Sequence, residues 1–198
     1  LSDVVILSDD QGQMFLRSPS FIPDIASGEL DQNSLGGADA HASRSGVACM
    51  VAEDEEDAIL TAIEILSFLP DHTLAEAVTL SSGDPADRAC RNLTEIVPAD
   101  SNIPYDIRKV ITEVVDEGRF LELFSTYAEN IVIGFARLDG QSVGIVANQP
   151  KVLAGCLDID ASVKAARFIR TCDIFNIPVV TFVDVPGFLP GTVQEWGG

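Results

Sequence analysis

The chain has 198 residues, of which 46% are hydrophobic and 22% charged, a composition that excludes a largely disordered protein and allows one large domain or two small ones. Its formal net charge of −19 argues against nucleic acid or an anionic membrane as a partner, because phosphate binding requires clustered Lys and Arg. No apolar run approaches the ~20 residues that a membrane-spanning helix needs.

The first part of the chain predicts a strand, a long loop and a helix. Residues 4–7 have the apolar character of a strand, while residues 17–46 are rich in Ser, Gly, Pro and Asp and predict a loop with little regular structure. Acidic residues at 53–57 then crowd into a first helical turn, where they complement the helix dipole. Apolar residues recur at helical spacing until Pro70 ends the run, namely Ile59, Ala62, Ile63, Leu66 and Leu69.

A polar connector follows at residues 71–104 and is the best candidate for a domain boundary. It contains the turn-forming stretch at 81–85 and two further prolines, Pro98 and Pro104. A second helix is predicted next, and Gly118 lies just past its end. The apolar face of this helix is formed by Ile107, Val110, Ile111, Val114 and Val115.

The last third of the chain predicts strands around one helix. Residues 131–138 and 142–147 flank Asp139-Gly140, which is a strong signal for a β-hairpin. Asp160 is expected to cap a helix whose apolar stripe contains Ala165, Phe168, Ile169, Cys172 and Phe175. Residues 179–183 are apolar enough for a strand that is covered on both faces. A hairpin, a helix and a buried strand make a layered ββα unit, so the predicted class is α/β.

Side chains that commonly perform catalysis or bind metals are sparse. The four cysteines are scattered with no C-x-x-C pair, so no metal site is predicted and a reducing cytosolic compartment, or a mitochondrial matrix, is favoured. The acidic run at 53–57 is interpreted as a solvated helix start. Neither His41 nor His72 lies near a G-x-S-x-G elbow, and a structural hydrogen bond is favoured for His41.

Two other patterns have competing interpretations. The stretch at 184–187 resembles the D-x-x-G element of GTPases, but that reading requires a phosphate loop of the form G-x-x-x-x-G-K-[ST], which these residues lack. Lys164, Arg167 and Arg170 share one side of a predicted helix. They form either the solvated back of that helix or a contact for ligand phosphates.

The glycine-rich loop at 187–191 is the strongest candidate for chemistry. The end of a buried strand that enters such a loop is where α/β proteins usually bind ligands. Gly187 and Gly191, with Pro186 and Pro190, fix a loop whose N–H groups are suited to converge on one oxygen. Such donors stabilise an enolate or a tetrahedral oxyanion without a titrating side chain. The alternative is a rigid turn between a strand and a helix.

Several motifs of the chain match one known family. ANQP (147–150), AGCLDI (154–159) and VDVPGFLPG (183–191) occur in this order, after LGGADAHASRSGVA at 35–48. The sequence closely resembles the carboxyltransferase (beta) subunits of biotin-dependent acyl-CoA carboxylases, above all the propionyl-CoA carboxylases. It departs from them at Ala40 and Cys49, where the family often has Thr and either His or Asp, so the 35–48 loop is given no direct catalytic role.

The resemblance implies a crotonase/ClpP-like spiral of ββα units, an α/β fold in two pseudo-repeated halves. Residues 1–95 would be the C-terminal part of the first carboxyltransferase domain, 96–104 a linker, and 105–198 the N-terminal part of the second. Family members move a carboxyl group from carboxybiotin to the α carbon of a short-chain acyl-CoA such as propionyl-CoA, using backbone oxyanion holes. These 198 residues would contain the 187–192 loop but neither complete hole, so this chain is expected to be a fragment that is inactive alone.

The same resemblance suggests partners and site residues. Expected partners are an acyl-CoA, a biotin carboxyl carrier or biotin carboxylase subunit that carries the biotin, and further copies of the full-length protein in a hexamer. The expected catalytic loop residues are Gly187, Phe188 and Gly191. The expected substrate- or cofactor-binding residues are Asn148, Gln149, Pro150, Gly155, Cys156, Leu189 and Pro190. Two alternatives stay open: a subunit of a biotin-dependent acyl-CoA decarboxylase or transcarboxylase, and a non-catalytic crotonase-fold interaction fragment.

Overall fold

A computed structural model describes residues 2–197, and their backbone contacts divide the chain into two compact units. The first unit comprises the chain up to Glu64 together with Phe124–Tyr127. The second comprises Ile65–Leu123 and the chain from Ala128 onward. Residues 65–95 therefore lie in the second compact unit. The assignment of 1–95 and 105–198 to two carboxyltransferase domains stays a prediction.

The first unit pairs two short parallel strands and surrounds them with short helices. Strand β1 (Ile6–Ser8) pairs with β2 (Met50–Ala52). The segment at 17–46, predicted to have little regular structure, instead forms a 3₁₀ turn at Pro19–Phe21 and the helices α1 (Pro23–Ala26), α2 (Gln32–Gly36) and α3 (Ala38–Ser43). That prediction was wrong because residues typical of loops act here as helix caps. Asp31, for example, accepts the N–H of Ser34 at the start of α2.

The structural interpretation of His41 is consistent with its contacts. Its Nε2 lies 2.8 Å from the carbonyl oxygen of Met14, and its Nδ1 lies 2.8 Å from Oγ of Ser45. Both ring nitrogens are therefore engaged in local hydrogen bonds within the first unit.

Helix α4 (Glu55–Leu66) begins at the acidic cluster as predicted, and it runs from the first unit into the second. Asp54 accepts the N–H of Asp57 and so caps the first turn. The predicted apolar stripe is not the packed face of the helix within the described chain, because Ile59, Ile63 and Leu66 are each about 60% exposed. Ile65 is buried instead.

The second unit contains a mixed sheet with the strand order β3-β4-β5-β6. The strands are β3 (Phe120–Leu123), β4 (Ile131–Leu138), β5 (Gln141–Asn148) and β6 (Val179–Phe182). The helices are α5 (Leu93–Ile96), α6 (Ile107–Val114), α7 (Ile159–Ile174) and α8 (Thr192–Gly197), with 3₁₀ turns at Asp116–Gly118 and Leu153–Gly155. The pairs β3–β4 and β4–β5 are antiparallel, while β5 and β6 are parallel. None of the helices within residues 2–197 is long and apolar enough to cross a membrane.

The predicted hairpin is confirmed, and its turn is stabilised by hydrogen bonds to Asp116, a residue outside the hairpin. Asp139 and Gly140 join β4 to β5, and the carboxylate of Asp116 accepts the N–H groups of both residues at 3.0 and 2.7 Å. Because the register of an antiparallel pair fixes which side chains face the core, this turn also fixes the core face of both strands. Strand β3, which pairs with β4, was not predicted from the sequence.

The core of the second unit lies between the sheet and its helices. Helix α6 contributes Ile107, Val110 and Ile111 to a buried cluster with residues of β4 and β5. On α7, Phe168 packs against Phe135 of β4, with ring centroids 5.2 Å apart. Strand β6 was expected to be covered on both faces, but it alternates between exposed and half-buried residues. Val180 and Phe182 pack against the core cluster, whereas Val179 and Thr181 on the opposite face are exposed.

Candidate functional site

The candidate site consists of two loops at the carboxyl ends of the parallel strands β5 and β6. We call them the 148–158 loop and the 183–191 loop, and together they contain all ten predicted site residues. Leu157 joins them: its N–H donates to the carbonyl oxygen of Gly187 at 3.1 Å, and its own carbonyl accepts the N–H of Leu189 at 2.7 Å. The carboxyl end of a parallel sheet is the usual ligand-binding edge of an α/β fold.

Gly155 lies close against the backbone of the 183–191 loop. A Cβ atom at this position would stand 2.8 Å from the carbonyl oxygen of Asp184, closer than real Cβ contacts allow. The backbone of Gly155 also has φ = +78°, a conformation that L side chains rarely adopt. Glycine is therefore required here by both space and backbone geometry.

The 183–191 loop presents backbone donors and an exposed aromatic ring. Gly187 has φ = +152°, and a Cβ added there would meet nothing within 4 Å. Within residues 2–197, the amide N–H groups of Gly187 and Phe188 have no acceptor, whereas the N–H of Leu189 is used by Leu157. The ring of Phe188 is 77% exposed. Pro190 and Gly191 are exposed as well, and Leu189 is half-buried.

Asn148 and Gln149 point into the protein, where their side chains have partners of their own. The Nδ2 of Asn148 donates to the carbonyl oxygen of Gly155 at 3.1 Å. The Nε2 of Gln149 donates to Asp106 at 2.8 Å, and Gln149 is only 1% exposed. Pro150 is buried and Cys156 is half-buried. That these residues contact acyl-CoA stays a prediction, but the polar atoms of Asn148 and Gln149 hold the loop in place.

The structure adds Asn130, which sequence analysis did not identify, to the support of the site. Asn130 lies just before β4 and is 2% exposed. Its side-chain Nδ2 donates to the carbonyl oxygen of Cys156 at 2.9 Å and to Oδ1 of Asp158 at 3.2 Å. Its backbone carbonyl accepts a hydrogen bond from the N–H of Gln149. Asp158, rather than the predicted Asp160, caps α7 by accepting the N–H of Ala161. An Asn before an apolar strand is a weak sequence signal, because such residues usually mark turns.

Lys164 also differs from its predicted place on an exposed basic stripe. It is 3% exposed, and its Nζ donates to the carbonyl oxygens of Ile131 at 2.8 Å and Ala128 at 3.3 Å. Burial lowers the pKa of Lys164 to about 8. Arg167 and Arg170 are exposed, so the three residues do not form one surface.

Other features of the second unit lie apart from the two loops. A pocket of about 110 Å³ is lined by nine residues, including Phe68, Ser81, Arg119 and Gly140, and contains none of the predicted site residues. No group of three or more His, Cys, Asp or Glu residues suited to a metal ion occurs in the described part of the chain. Burial raises the pKa of the Cys172 thiol to about 12, so this buried thiol is an unreactive core residue.

The geometry defines the class of the protein: an α/β chain whose candidate site is built mainly of backbone groups at the carboxyl ends of parallel strands. The chain belongs to the carboxyl transferase domain family, which matches residues 1–198. This membership confirms the resemblance that was based on the ANQP, AGCLDI and VDVPGFLPG motifs.

Individual relatives cover the whole chain. It is 51% identical over 198 residues to the methylmalonyl-CoA decarboxylase subunit alpha of Veillonella parvula and spans 39% of that protein. It is 50% identical over 206 residues to the propionyl-CoA carboxylase beta chain of Saccharopolyspora erythraea and spans 38% of it. The crystal structure of transcarboxylase 12S matches the whole chain, and 38% of its own, with a TM-score of 0.93 and 47% identity. The chain thus spans about two fifths of these relatives, and the predicted α/β crotonase-type carboxyltransferase fold is confirmed.

Proposed function

We propose that the protein to which this chain belongs transfers a carboxyl group between carboxybiotin and the α carbon of a short-chain acyl-CoA such as propionyl-CoA. Membership of the carboxyl transferase domain family supports the reaction class. The observation that carries the proposal is the pair of fastened loops with unused backbone donors at Gly187 and Phe188. The related propionyl-CoA carboxylase beta chain supports the substrate class.

In this proposal the two loops have different roles. The 148–158 loop, with Asn148, Gln149, Pro150, Gly155 and Cys156, lies along the acyl-CoA. The 183–191 loop forms the floor of the cleft shared by the acyl group and biotin, through the residues Gly187, Phe188, Leu189, Pro190 and Gly191. Phe188 is exposed, and its flat apolar ring is suited to pack against the tetrahydrothiophene ring of biotin.

The chain's own contribution to the chemistry would be electrostatic. Carboxybiotin, held by a partner subunit, supplies the carboxyl group. The N–H groups of Gly187 and Phe188 donate hydrogen bonds to an oxygen that gains negative charge as the reaction proceeds. Removal of one such preorganised donor typically costs on the order of 10²–10³ in turnover. A metal ion is not needed for this role, because the backbone dipoles supply the stabilisation.

A second candidate is a subunit of a biotin-dependent acyl-CoA decarboxylase or transcarboxylase. The 51% identity to methylmalonyl-CoA decarboxylase subunit alpha favours this alternative. The two candidates share the half-reaction at the acyl-CoA and differ in the acceptor of the carboxyl group. A non-catalytic interaction fragment is the third reading, which the intact glycine loops disfavour.

The test is carboxyl transfer by the full-length protein with its biotin-bearing partner. We expect carboxylation of propionyl-CoA, with acetyl-CoA as the comparison substrate, and no transfer by residues 1–198 alone. Release of CO₂ from methylmalonyl-CoA without net carboxylation would identify the decarboxylase. No exchange of the carboxyl group with biotin in either direction would contradict the proposal.

We further propose the assembly and the compartment. The related transcarboxylase 12S forms a hexamer, so the full-length protein is expected to form one too, with a biotin carboxyl carrier or biotin carboxylase subunit as its partner. The four cysteines of the chain are free thiols, which suits a reducing cytosol or mitochondrial matrix. Light scattering of the full-length protein tests the hexamer.

A further inference from the structure

We propose that Tyr105 is a positioning residue for the 183–191 loop. Its neighbour Asp106 binds the 148–158 loop, so the two consecutive residues together fix the distance between the loops. The inference rests on the proposed function, since it concerns the geometry of the same site. Tyr105 and Asp106 lie just before α6 and are remote in sequence from both loops. Neither residue belongs to the predicted site.

Asp106 fastens the 148–158 loop to the start of α6. It is the N-cap of that helix, where its Oδ1 accepts the N–H of Arg108. The same oxygen accepts the Nε2 of Gln149 at 2.8 Å, while Oε1 of Gln149 lies 3.4 Å from the N–H of Ile107. Gln149 thereby becomes part of the helix cap. Burial raises the pKa of Asp106, but the hydrogen bonds from Gln149 and Arg108 and the nearby positive charges outweigh it and leave the pKa below its usual range.

Tyr105 fastens the other loop. Its hydroxyl donates to Oδ2 of Asp184 at 2.7 Å, and Asp184 stands at the point where the chain leaves β6 for the 183–191 loop. The ring of Tyr105 packs against the buried cluster formed by α6, β4 and β5. The apolar body of the side chain is therefore anchored in the core, and the hydroxyl reaches the loop.

The two contacts form a clamp because the anchoring residues are consecutive. One peptide unit separates Tyr105 from Asp106, and consecutive Cα atoms are fixed at about 3.8 Å. The clamp adds to the direct contacts between the loops at Leu157 and Gly155. Burial and the Asp184 carboxylate raise the pKa of Tyr105 to about 12, so its hydroxyl remains a donor at every ordinary assay pH.

The hydrogen bond between Tyr105 and Asp184 is exposed to solvent. Its loss is expected to affect the overall stability little, since exposed hydrogen bonds contribute little net free energy. A displaced loop, in contrast, strongly affects turnover, because misplacement by about 1 Å can cost on the order of 10²-fold. This difference separates a positioning role from a merely structural one.

The test is Tyr105→Phe in the full-length protein, with Tyr127→Phe as the matched control for loss of a hydroxyl. In Tyr105→Phe we expect amide hydrogen exchange at 184–191 to accelerate roughly fivefold and kcat to fall roughly tenfold. We expect KM for acyl-CoA and the Tm to stay near the wild-type values. Tyr127→Phe should leave exchange at 184–191 unchanged. Wild-type exchange at 184–191 in Tyr105→Phe, or equal effects of both variants there, would overturn the inference.

Asp184→Ala removes the acceptor of the same hydrogen bond and completes a double-mutant cycle. If the contact acts as proposed, the double variant exchanges at 184–191 no faster than either single variant. Additive acceleration would overturn the inference. The amide exchange measurement does not depend on catalysis. If the full-length protein transfers no carboxyl group, the proposed function is contradicted, but the exchange rates at 184–191 still test the clamp.

Discussion

The Nδ2 atom of Asn130 lies 2.9 Å from the carbonyl oxygen of Cys156, and Asn130 itself is 2% exposed. Asn130→Ala leaves this carbonyl without its donor, and an unsatisfied buried polar group costs about 1–3 kcal/mol. We expect a lower Tm in calorimetry of the full-length protein. The control is Asn102→Ala, which removes a side-chain hydrogen bond to the carboxylate of Asp100 at an exposed site. Equal losses for both variants would contradict the argument.

Lys164 makes stability depend on pH in a defined window. Its pKa is about 8 in the folded protein, against 10.5 for an unperturbed lysine. Between these two values the unfolded chain binds one proton more than the folded chain, so the free energy of unfolding rises with pH. This contribution is fully present above pH 10.5 and is lost as the pH falls through 8. Integrated over the window the effect is at most about 3 kcal/mol.

The measurement for Lys164 is denaturant unfolding of the wild type and of Lys164→Met at pH 7 and pH 10. The wild type should gain stability relative to the variant as the pH rises, because Met has no proton to release. Lys109→Met, at an exposed position of α6, serves as the control and should show no such gain. A constant difference between wild type and Lys164→Met at both pH values would contradict the burial of an ionisable amine.

Gly155 and Gly28 form a matched pair for a test of the close approach between the loops. Both have φ = +78°, but a Cβ at Gly28 would meet nothing within 4 Å, whereas a Cβ at Gly155 would stand 2.8 Å from the carbonyl oxygen of Asp184. Both substitutions to Ala bear the backbone strain, which is on the order of 1–3 kcal/mol. Gly155→Ala should therefore lower the Tm more than Gly28→Ala and also lower turnover. Equal Tm losses would show that the loops move apart at Gly155 without a further cost in free energy of unfolding.

Arg88 is expected to stabilise the end of α6. Its guanidinium donates to the carbonyl oxygens of Glu113 at 2.8 Å and Val115 at 3.2 Å, and its Nε pairs with Asp84 at 2.6 Å. Arg88→Lys should lower the Tm nearly as much as Arg88→Met, because an ammonium group lacks the planar fork that reaches several acceptors. Arg91→Met, a few residues away and exposed, should have little effect. A wild-type Tm for Arg88→Lys would show that the positive charge of Arg88, and not its several hydrogen bonds, stabilises the end of α6.

Gly187→Val tests whether the 183–191 loop takes part in the reaction. The position has open space and φ = +152°, which a β-branched residue does not adopt, so the loop must change its backbone locally. We expect turnover of the full-length protein to fall by more than ~10-fold with little change in Tm. Parallel losses of turnover and Tm would instead favour a rigid turn without a direct role.

The parts of the fold that the sequence predicted are those determined by local signals. The Asp139-Gly140 turn and the apolar runs beside it were sufficient for the β4–β5 hairpin. The apolar face of α6 was predicted because its period matches a helix that packs on one side. In both cases the residues that decide the structure are neighbours in the chain.

The contacts that the sequence did not predict join residues that are distant in the chain. The side chain of Gln149 bonds to Asp106, 43 residues away, while the assignment of Gln149 to a ligand stays a prediction. Lys164 was placed on a basic stripe, although its acceptors precede it by more than 30 residues. Polarity alone does not distinguish a buried side chain with backbone partners from one that faces solvent. The two loops themselves were predicted, whereas the residues that hold them were not.

The two hydrogen bonds of Leu157 couple the 148–158 loop to the 183–191 loop. They attach the 148–158 loop to the 183–191 loop through one residue that uses both its donor and its acceptor. Displacement of one loop relative to the other must break both bonds, so the two loops are mechanically coupled at this residue. A spectroscopic probe on either loop is therefore expected to report a displacement of the other.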